Sequence, residues 1–311
     1  MHNQREEYGK TLVELGKRNP NIVVLEADLG KSTMSSMFEA AFPERTFEMG
    51  IAEANMTGFA AGLALGGKIP FTNSFAVFAA GRSYDQIRQS ICTANLHVII
   101  VGSSAGMSDF GDGATHQSID DIGIMSVLPN MTVLCPCDGI ETRLAVEAAA
   151  AMDGPVYIRL CRNSLEDIYP EAVGYRPGEP VVLREGGDVC VFTTGILAHE
   201  ALAAAATLEG EGIGVKVVHV PGIKPLNREA VRAHAAGAKR IFTCEEHNVY
   251  GGLNAMVCQT LAGGGVPIEA VAVMDKFGQS AHAHSELLAA YGLDAAAICE
   301  KIRSSMKGRV V

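Results

Sequence analysis

Strand-length apolar runs, set off by helices of small residues, constrain this chain more than any single motif. Asn21–Ala27 (NIVVLEA), Leu96–Gly102 (LHVIIVG) and Pro155–Leu160 (PVYIRL) are nearly continuous in apolar residues rather than alternating. Strands of that kind are buried on both faces, so their sheet must be covered on both sides. Shorter runs at Arg45–Met49, Lys68–Thr72 and Met131–Cys135 extend the series. Helical patterns lie between them, over residues 3–18, 53–65, 76–94, 117–126 and 139–151. Repeated strand-then-helix order predicts an α/β fold with a mainly parallel sheet.

The rhythm breaks over Cys161–Pro180 (CRNSLEDIYPEAVGYRPGEP), a polar stretch with prolines and glycines that reads as a linker. A second, smaller α/β unit follows, with strands expected at 188–193, 214–220, 240–244 and 267–273 and helices at 197–208, 227–236 and 253–261. The expected organisation is two α/β domains, residues 1–165 and 181–311, joined by a linker over 166–180. A chain of 311 residues, 48% of them hydrophobic, can fill two such cores.

Net charge of −10 and the lack of a basic run with interleaved aromatics argue against nucleic acid as the main partner. A few local arginines can still bind a phosphate in an acidic protein. The N-terminus is polar, with no apolar signal-peptide core, and no apolar run reaches a membrane span. Eight cysteines, mostly in apolar runs (Cys92, Cys190, Cys244, Cys258), fit a reducing cytoplasm better than a disulfide scaffold. Cys135-Pro-Cys137 has no second pair nearby and Ala281-His-Ala-His284 no evident third ligand, so neither reads as a metal site.

Candidate chemistry gathers at the carboxyl ends of the expected strands, where ligands bind in parallel α/β sheets. Glu53 opens a helix in Glu48-Met-Gly-Ile-Ala-Glu53-Ala-Asn55, amid small and apolar residues. It either caps that helix or, as a carboxyl in apolar surroundings, hydrogen-bonds a ring nitrogen. Phe75 and Phe78 are spaced to share a helix face, either in the core or against a planar ligand. Asp112 and His116, in Asp112-Gly-Ala-Thr-His-Gln117, follow a glycine- and serine-rich loop and could converge on one ligand. Gly111-Asp-Gly113 resembles a diphosphate–Mg²⁺ loop but lacks the later asparagine such a loop needs, and Asp138 is a weak substitute. Arg162 follows the strand at Pro155–Leu160, where its planar fork could clamp a phosphate, with Arg5 and Ser32 contributing. There is no P-loop and no Gly-x-Gly-x-x-Gly after the first strand. Glu245-Glu-His-Asn-Val-Tyr-Gly-Gly252 is the polar spot of the second unit, either an interface near the site or a surface cap.

Taken in order, Phe47–Asn55, Ser74–Phe78, Asp112–Gln117, Gly154–Arg159 with Arg162, and Glu245–His247 with Gly251-Gly252 resemble the C-terminal half of transketolase, and more closely the C-terminal subunit of split transketolases. The resemblance covers nearly the whole chain. It implies a thiamine diphosphate pyrimidine-binding domain followed by a transketolase C-terminal-like domain. It implies Glu53 as the acid at the aminopyrimidine and Phe75, Phe78 and Arg82 around that ring. His116 and Asp112 would lie near the thiazolium, His116 with a catalytic role, and Arg5, Asp28, Ser32 and Arg162 would hold a sugar phosphate. Two departures stand out. Ser104 occupies the place of a phosphate-contacting histidine, and Gly81-Arg82 the place of a ring-stacking tyrosine. The diphosphate-binding domain has no counterpart, so a partner chain, an N-terminal subunit holding the diphosphate and Mg²⁺, is expected in an α2β2 heterotetramer that transfers a two-carbon ketol unit. The alternatives are a 1-deoxyxylulose-5-phosphate synthase-like enzyme, a 2-oxoacid dehydrogenase β subunit, or a non-catalytic homologue.

Overall fold

A computed structural model describes residues 2–171 and 174–308. The strands are β1 (His2–Asn3), β2 (Ile22–Glu26), β3 (Thr46–Glu48), β4 (Ile69–Phe75), β5 (Ile99–Ser103), β6 (Thr132–Leu134), β7 (Val156–Arg159), β8 (Ser164–Leu165), β9 (Val181–Arg184), β10 (Val189–Thr193), β11 (Val215–His219), β12 (Gly222–Lys224), β13 (Arg240–Asn248) and β14 (Ile268–Val273). A seven-stranded sheet runs β12-β6-β7-β5-β4-β2-β3 and a five-stranded one β14-β13-β10-β11-β9. Both are parallel except at one edge, where β12 and β9 pair antiparallel. The architecture is the mixed α/β one that continuous apolar runs require: β2, β5 and β7 are buried at every residue.

The helices are α1 (Gln4–Arg18), α2 (Gly30–Thr33), α3 (Ser36–Ala41), α4 (Glu53–Leu65), α5 (Ala76–Gly81), α6 (Tyr84–Gln86), α7 (Asp121–Ser126), α8 (Gly139–Ala151), α9 (Leu197–Glu209), α10 (Arg228–Ala235), α11 (Leu253–Leu261), α12 (His284–Ala290) and α13 (Ala295–Met306). Local chemistry explains their ends. Asn3 caps α1 through the Arg5 amide, with Glu6 and Glu7 in the first turn and Lys17 and Arg18 in the last. Asp138 caps α8 by accepting from the Glu141 amide, and Glu141 reaches back to the Cys137 amide. Among the described residues no helix is long and apolar enough to cross a membrane.

Three sequence expectations are corrected. The single helix over 76–94 breaks into α5, α6 and a π turn at Ile87–Cys92. Gly81 weakens the centre, and the Ser83 hydroxyl donates back to the Ala79 carbonyl, a bond that bends helices. β4 runs on to Phe75, so Phe75 ends a strand rather than opening a helix. The helix expected over 117–126 begins only at Asp121, because Ser118 pairs with Gly106 in an isolated bridge.

The two sheets share one body of apolar contact. A single cluster joins Val98, Ile100 and Cys135 to Val218, Ile223 and Leu253. β12, distant in sequence, completes the edge of the first sheet beside β6. The segment before β9 is tied down as well, since both Ile168 and Tyr169 donate their amides to Asp138.

Candidate active site

The parallel register brings the candidate residues to one edge of the first sheet. Glu26 stands opposite Glu48 and Asn73, Phe75 opposite Ser103, and Gly102 opposite Arg159. The loops leaving β2, β3, β4, β5 and β7 therefore emerge side by side.

Glu53 begins α4 and is 4% exposed. Its surroundings are less apolar than expected. The Arg82 Nη1 donates to Glu53 Oε1 at 2.9 Å, and Arg82 comes within reach because the helix breaks just beyond it. The same guanidinium lies 3.9 Å over the Phe78 ring. Phe75 and Phe78 stack with centroids 6.1 Å apart and planes 18° apart. His116 meets both edge-on, at 6.3 Å and 5.3 Å, and its Nδ1 lies 3.0 Å from the Thr115 hydroxyl. Acid, guanidinium, ring pair and imidazole thus form one continuous wall. Among the described residues no second side chain bonds the Glu53 carboxylate, which leaves Oε2 open to a ring nitrogen; the Thr57 hydroxyl donates to the Glu53 carbonyl instead. That donor set and flat aromatic wall fit an aminopyrimidine.

A second cluster holds two arginines. Arg5 donates to the carbonyls of Ser32 (2.7 Å) and Arg162 (3.1 Å), and Arg162 pairs with Asp109 at 2.8 Å. The Asn3 amide group also donates to the Arg162 carbonyl. Burial, then the neighbouring charge of Arg162, lowers the Arg5 pKa. Burial raises the Asp109 carboxyl despite Arg162. Two guanidiniums against one buried acid leave this cluster attractive to an anion.

Seven of the buried side-chain atoms that lack a partner lie at this end of the sheet, on Arg5 of α1, Ser74 of β4, Ser103 of β5, and Ser104, Asp109, Gln117 and Ser118 of the loop after β5. Buried polar groups without partners are costly in a finished core, so their concentration at one edge marks a binding surface.

Other sequence candidates are placed differently. Ser32 meets Arg5 through its carbonyl. Asp28 follows β2 at a φ of 60°, exposed, with its amide on Glu48 and no side-chain bond to the arginines. Asp112 is exposed and raises its neighbour Asp109, and among the described residues its carboxylate makes no hydrogen bond. Ser104 is fully buried at a φ of 53°. The Asp138 carboxylate is fully taken up by the amides of Glu141, Ile168 and Tyr169. His282 is exposed while His284 is buried, so they share no face. Cys137 does gather with Glu141 and His219 within 4.8 Å, but that carboxylate already bonds the Cys137 amide and His219 Nε2.

Sequence reasoning missed several polar residues. Glu26, at the end of the first apolar run, is buried among Ala27, Thr33 and Ser35. Tyr8 donates to Asn73 at 2.5 Å. Arg159 pairs with buried Asp121, which also accepts from Tyr157. A charged residue inside an apolar run was the one available signal for Glu26 and Arg159.

Comparison with known proteins follows the same division. The transketolase pyrimidine binding domain matches residues 2–167 and the transketolase C-terminal domain matches 178–298. The 6-deoxy-6-sulfo-D-fructose transketolase subunit SqwH of Clostridium sp. (strain MSTE9) is 42% identical over 279 residues, 89% of this chain and 87% of its own. An apulose-4-phosphate transketolase subunit of Phocaeicola vulgatus is 33% identical over 297 residues, 95% of each chain. Among solved structures, a split gene transketolase in an inactive β4 tetramer superposes with a TM-score of 0.88 at 44% identity, covering 98% of both chains.

Proposed function

The chain belongs to the transketolase family, and from that premise we propose that it is the pyrimidine-binding subunit of a two-chain transketolase that moves a two-carbon ketol unit from an anionic ketose to an aldose. The observation that carries this reading is buried Glu53 beside the stacked Phe75–Phe78 pair, on the same sheet edge as the Arg5–Arg162 cluster. The domain implies thiamine diphosphate, which when bound supplies the electron sink for breaking and forming a carbon–carbon bond beside a carbonyl.

This chain's residues would act around that group. Glu53 Oε2 would share a proton with the pyrimidine ring nitrogen, and burial keeps water from competing for it. Phe75 and Phe78 would fix the ring plane, with Arg82 closing the side beside Phe78. His116, edge-on to those rings, would be placed to donate a hydrogen bond to substrate oxygen. Arg162 and Arg5 would hold the phosphate, with Asp28, Ser32 and Asp112 lining the approach.

A partner chain would supply the diphosphate and Mg²⁺ site in an α2β2 assembly. Supporting this, α4 carries no charge after Glu53 and presents Gly58, Phe59, Gly62 and Leu65 outward. Ile51 and Leu65 are 72% and 74% exposed. Eight cysteines without a disulfide suit the cytoplasm.

The test is an assay with thiamine diphosphate, Mg²⁺, xylulose 5-phosphate and ribose 5-phosphate, with the chain alone and with an N-terminal transketolase subunit. Ketol transfer is expected only in the mixture, and Glu53→Ala should lower its turnover by about 10²–10⁴. Full activity of the single chain, or condensation of pyruvate instead of ketol transfer, would overturn the reading.

A further inference from the structure

Beside the arginine cluster, one chain of contacts from the second sheet reaches the first. Glu246, on β13, is 2% exposed and lies 2.5 Å from His284 Nε2. His284 opens α12, and its Nδ1 lies 2.7 Å from the Asn163 side-chain amide. Asn163 directly follows Arg162. The main chain there is already held on one side, since the Arg162 amide donates to Ser108 and its carbonyl accepts from Asn3 and Arg5. His284 holds the other side.

We propose that His284, clamped by Glu246, positions Asn163 and with it the Arg162 arm of the anion site, so that the second domain sets the affinity for the substrate's phosphate. The proposal rests on the phosphate role given to Arg162 above. His284 touches no reacting atom and is a positioning residue.

Imidazole suits this task because both ring nitrogens are engaged. Glu246 accepts from Nε2–H, which leaves Nδ1 of the neutral ring to accept from the Asn163 amide. When the ring is protonated, Asn163 can answer with its oxygen after a flip of its amide. In that state the bonds to Glu246 and Asn163 are both charge-assisted, and both weaken to neutral bonds, with Asn163 less firmly held, when the ring loses its proton. Burial works against the imidazolium, but the charge and hydrogen bond of Glu246, with Glu200 behind, raise the His284 pKa above its ordinary value. The groups facing the ring are Glu246 from β13, Glu200 and His199 from α9 and Asn163 after β7; Glu286, on its own helix, accepts from the His282 amide. A cavity of about 360 Å³ lined by Phe110, Asn163, His199, Glu200 and His284 gives the side chains room to rotate.

A group whose folded-state pKa is raised holds its charged contact at low pH and loses it as pH rises through that pKa. KM for a phosphorylated substrate should therefore climb across that range.

The experiment uses the reconstituted complex with wild-type chain, His284→Leu, His284→Gln and Glu246→Gln, each checked for folding by circular dichroism. KM and kcat are measured against pH, and ribose 5-phosphate affinity is measured by calorimetry on the same samples. His284→Leu should raise KM and weaken calorimetric affinity roughly tenfold, with kcat within about threefold. His284→Gln, whose amide can also span a donor and an acceptor, should keep near-wild-type KM but lose the inflection. The phosphate's own titration remains in every variant. Unchanged affinity in both His284→Leu and Glu246→Gln, or a fall in kcat at constant KM, would overturn the proposal. If His284→Leu does not fold, a wild-type pH profile in His284→Gln overturns it. An inactive wild-type complex would sink the transketolase reading, while the calorimetric comparison would still decide this one.

Discussion

Glu26 shows how burial and hydrogen bonding compete at a single carboxyl. Burial raises its pKa to about 7, against the opposing bonds of Ser35, Thr33 and the Ala27 amide, with a small further push from Glu48. The folded state thus binds this proton more tightly than the unfolded chain does. Its contribution to stability is largest below the ordinary carboxyl range and declines as pH rises through about 7. Glu245, raised to about 7 mainly by burial, has the same sign. Urea midpoints at about pH 5 and about pH 7.5 should fall for the wild type across that interval and fall less for Glu26→Gln. An equal fall in both proteins would assign the slope elsewhere. Nothing in the composition predicts this behaviour. Glu26 can be read in the sequence as an acid at the end of an apolar strand, but its burial comes from the α2–α3 segment, where Thr33 ends α2 and Ser35 precedes α3, and which the apolar pattern did not announce.

At the scale of the element, α4 was legible almost to the residue, because a glutamate heading twelve uncharged, mostly small or apolar residues leaves few other readings. The next helix was not. Its apolar periodicity continues through Gly81 and Ser83, and only the folded chain reveals the break that sends Arg82 to Glu53. Uncharged exposed faces such as that of α4 are rare on isolated helices and common where another chain packs. Leu65→Glu, at a side chain 74% exposed, should leave the chain's own thermal midpoint nearly unchanged, an effect within about 0.5 kcal/mol, while abolishing co-elution with the partner subunit. A folded variant that still co-elutes would place the interface on another face.

At the scale of the molecule, the two units are joined by more than a linker. Arg159, 7% exposed, pairs with fully buried Asp121 and donates to the carbonyls of Ser118 and of Glu246 in the second sheet. Gly106 leaves just enough room for the Glu246 carboxylate, with which any Cβ at that position would collide. Thermal unfolding should show one transition for both units. Arg159→Met should lower stability by about 3–5 kcal/mol, since it leaves Asp121 buried without its counter-charge. Arg159→Met with Asp121→Asn should recover part of that loss. Two separable transitions would argue that the units fold independently.

The sequence by itself determined the α/β class, the two-unit order and the edge at which polar residues collect. Each of these follows from local apolar period and chain order, which survive in a single dimension. The tertiary structure alone decided which of those polar residues meet. Arg82 on Glu53, Arg5 on the carbonyls of Ser32 and Arg162, and His284 between Glu246 and Asn163 are contacts across 27 to 157 residues of chain. Such pairings depend on where helices break and how sheets dock, and side-chain type alone carries no information about either.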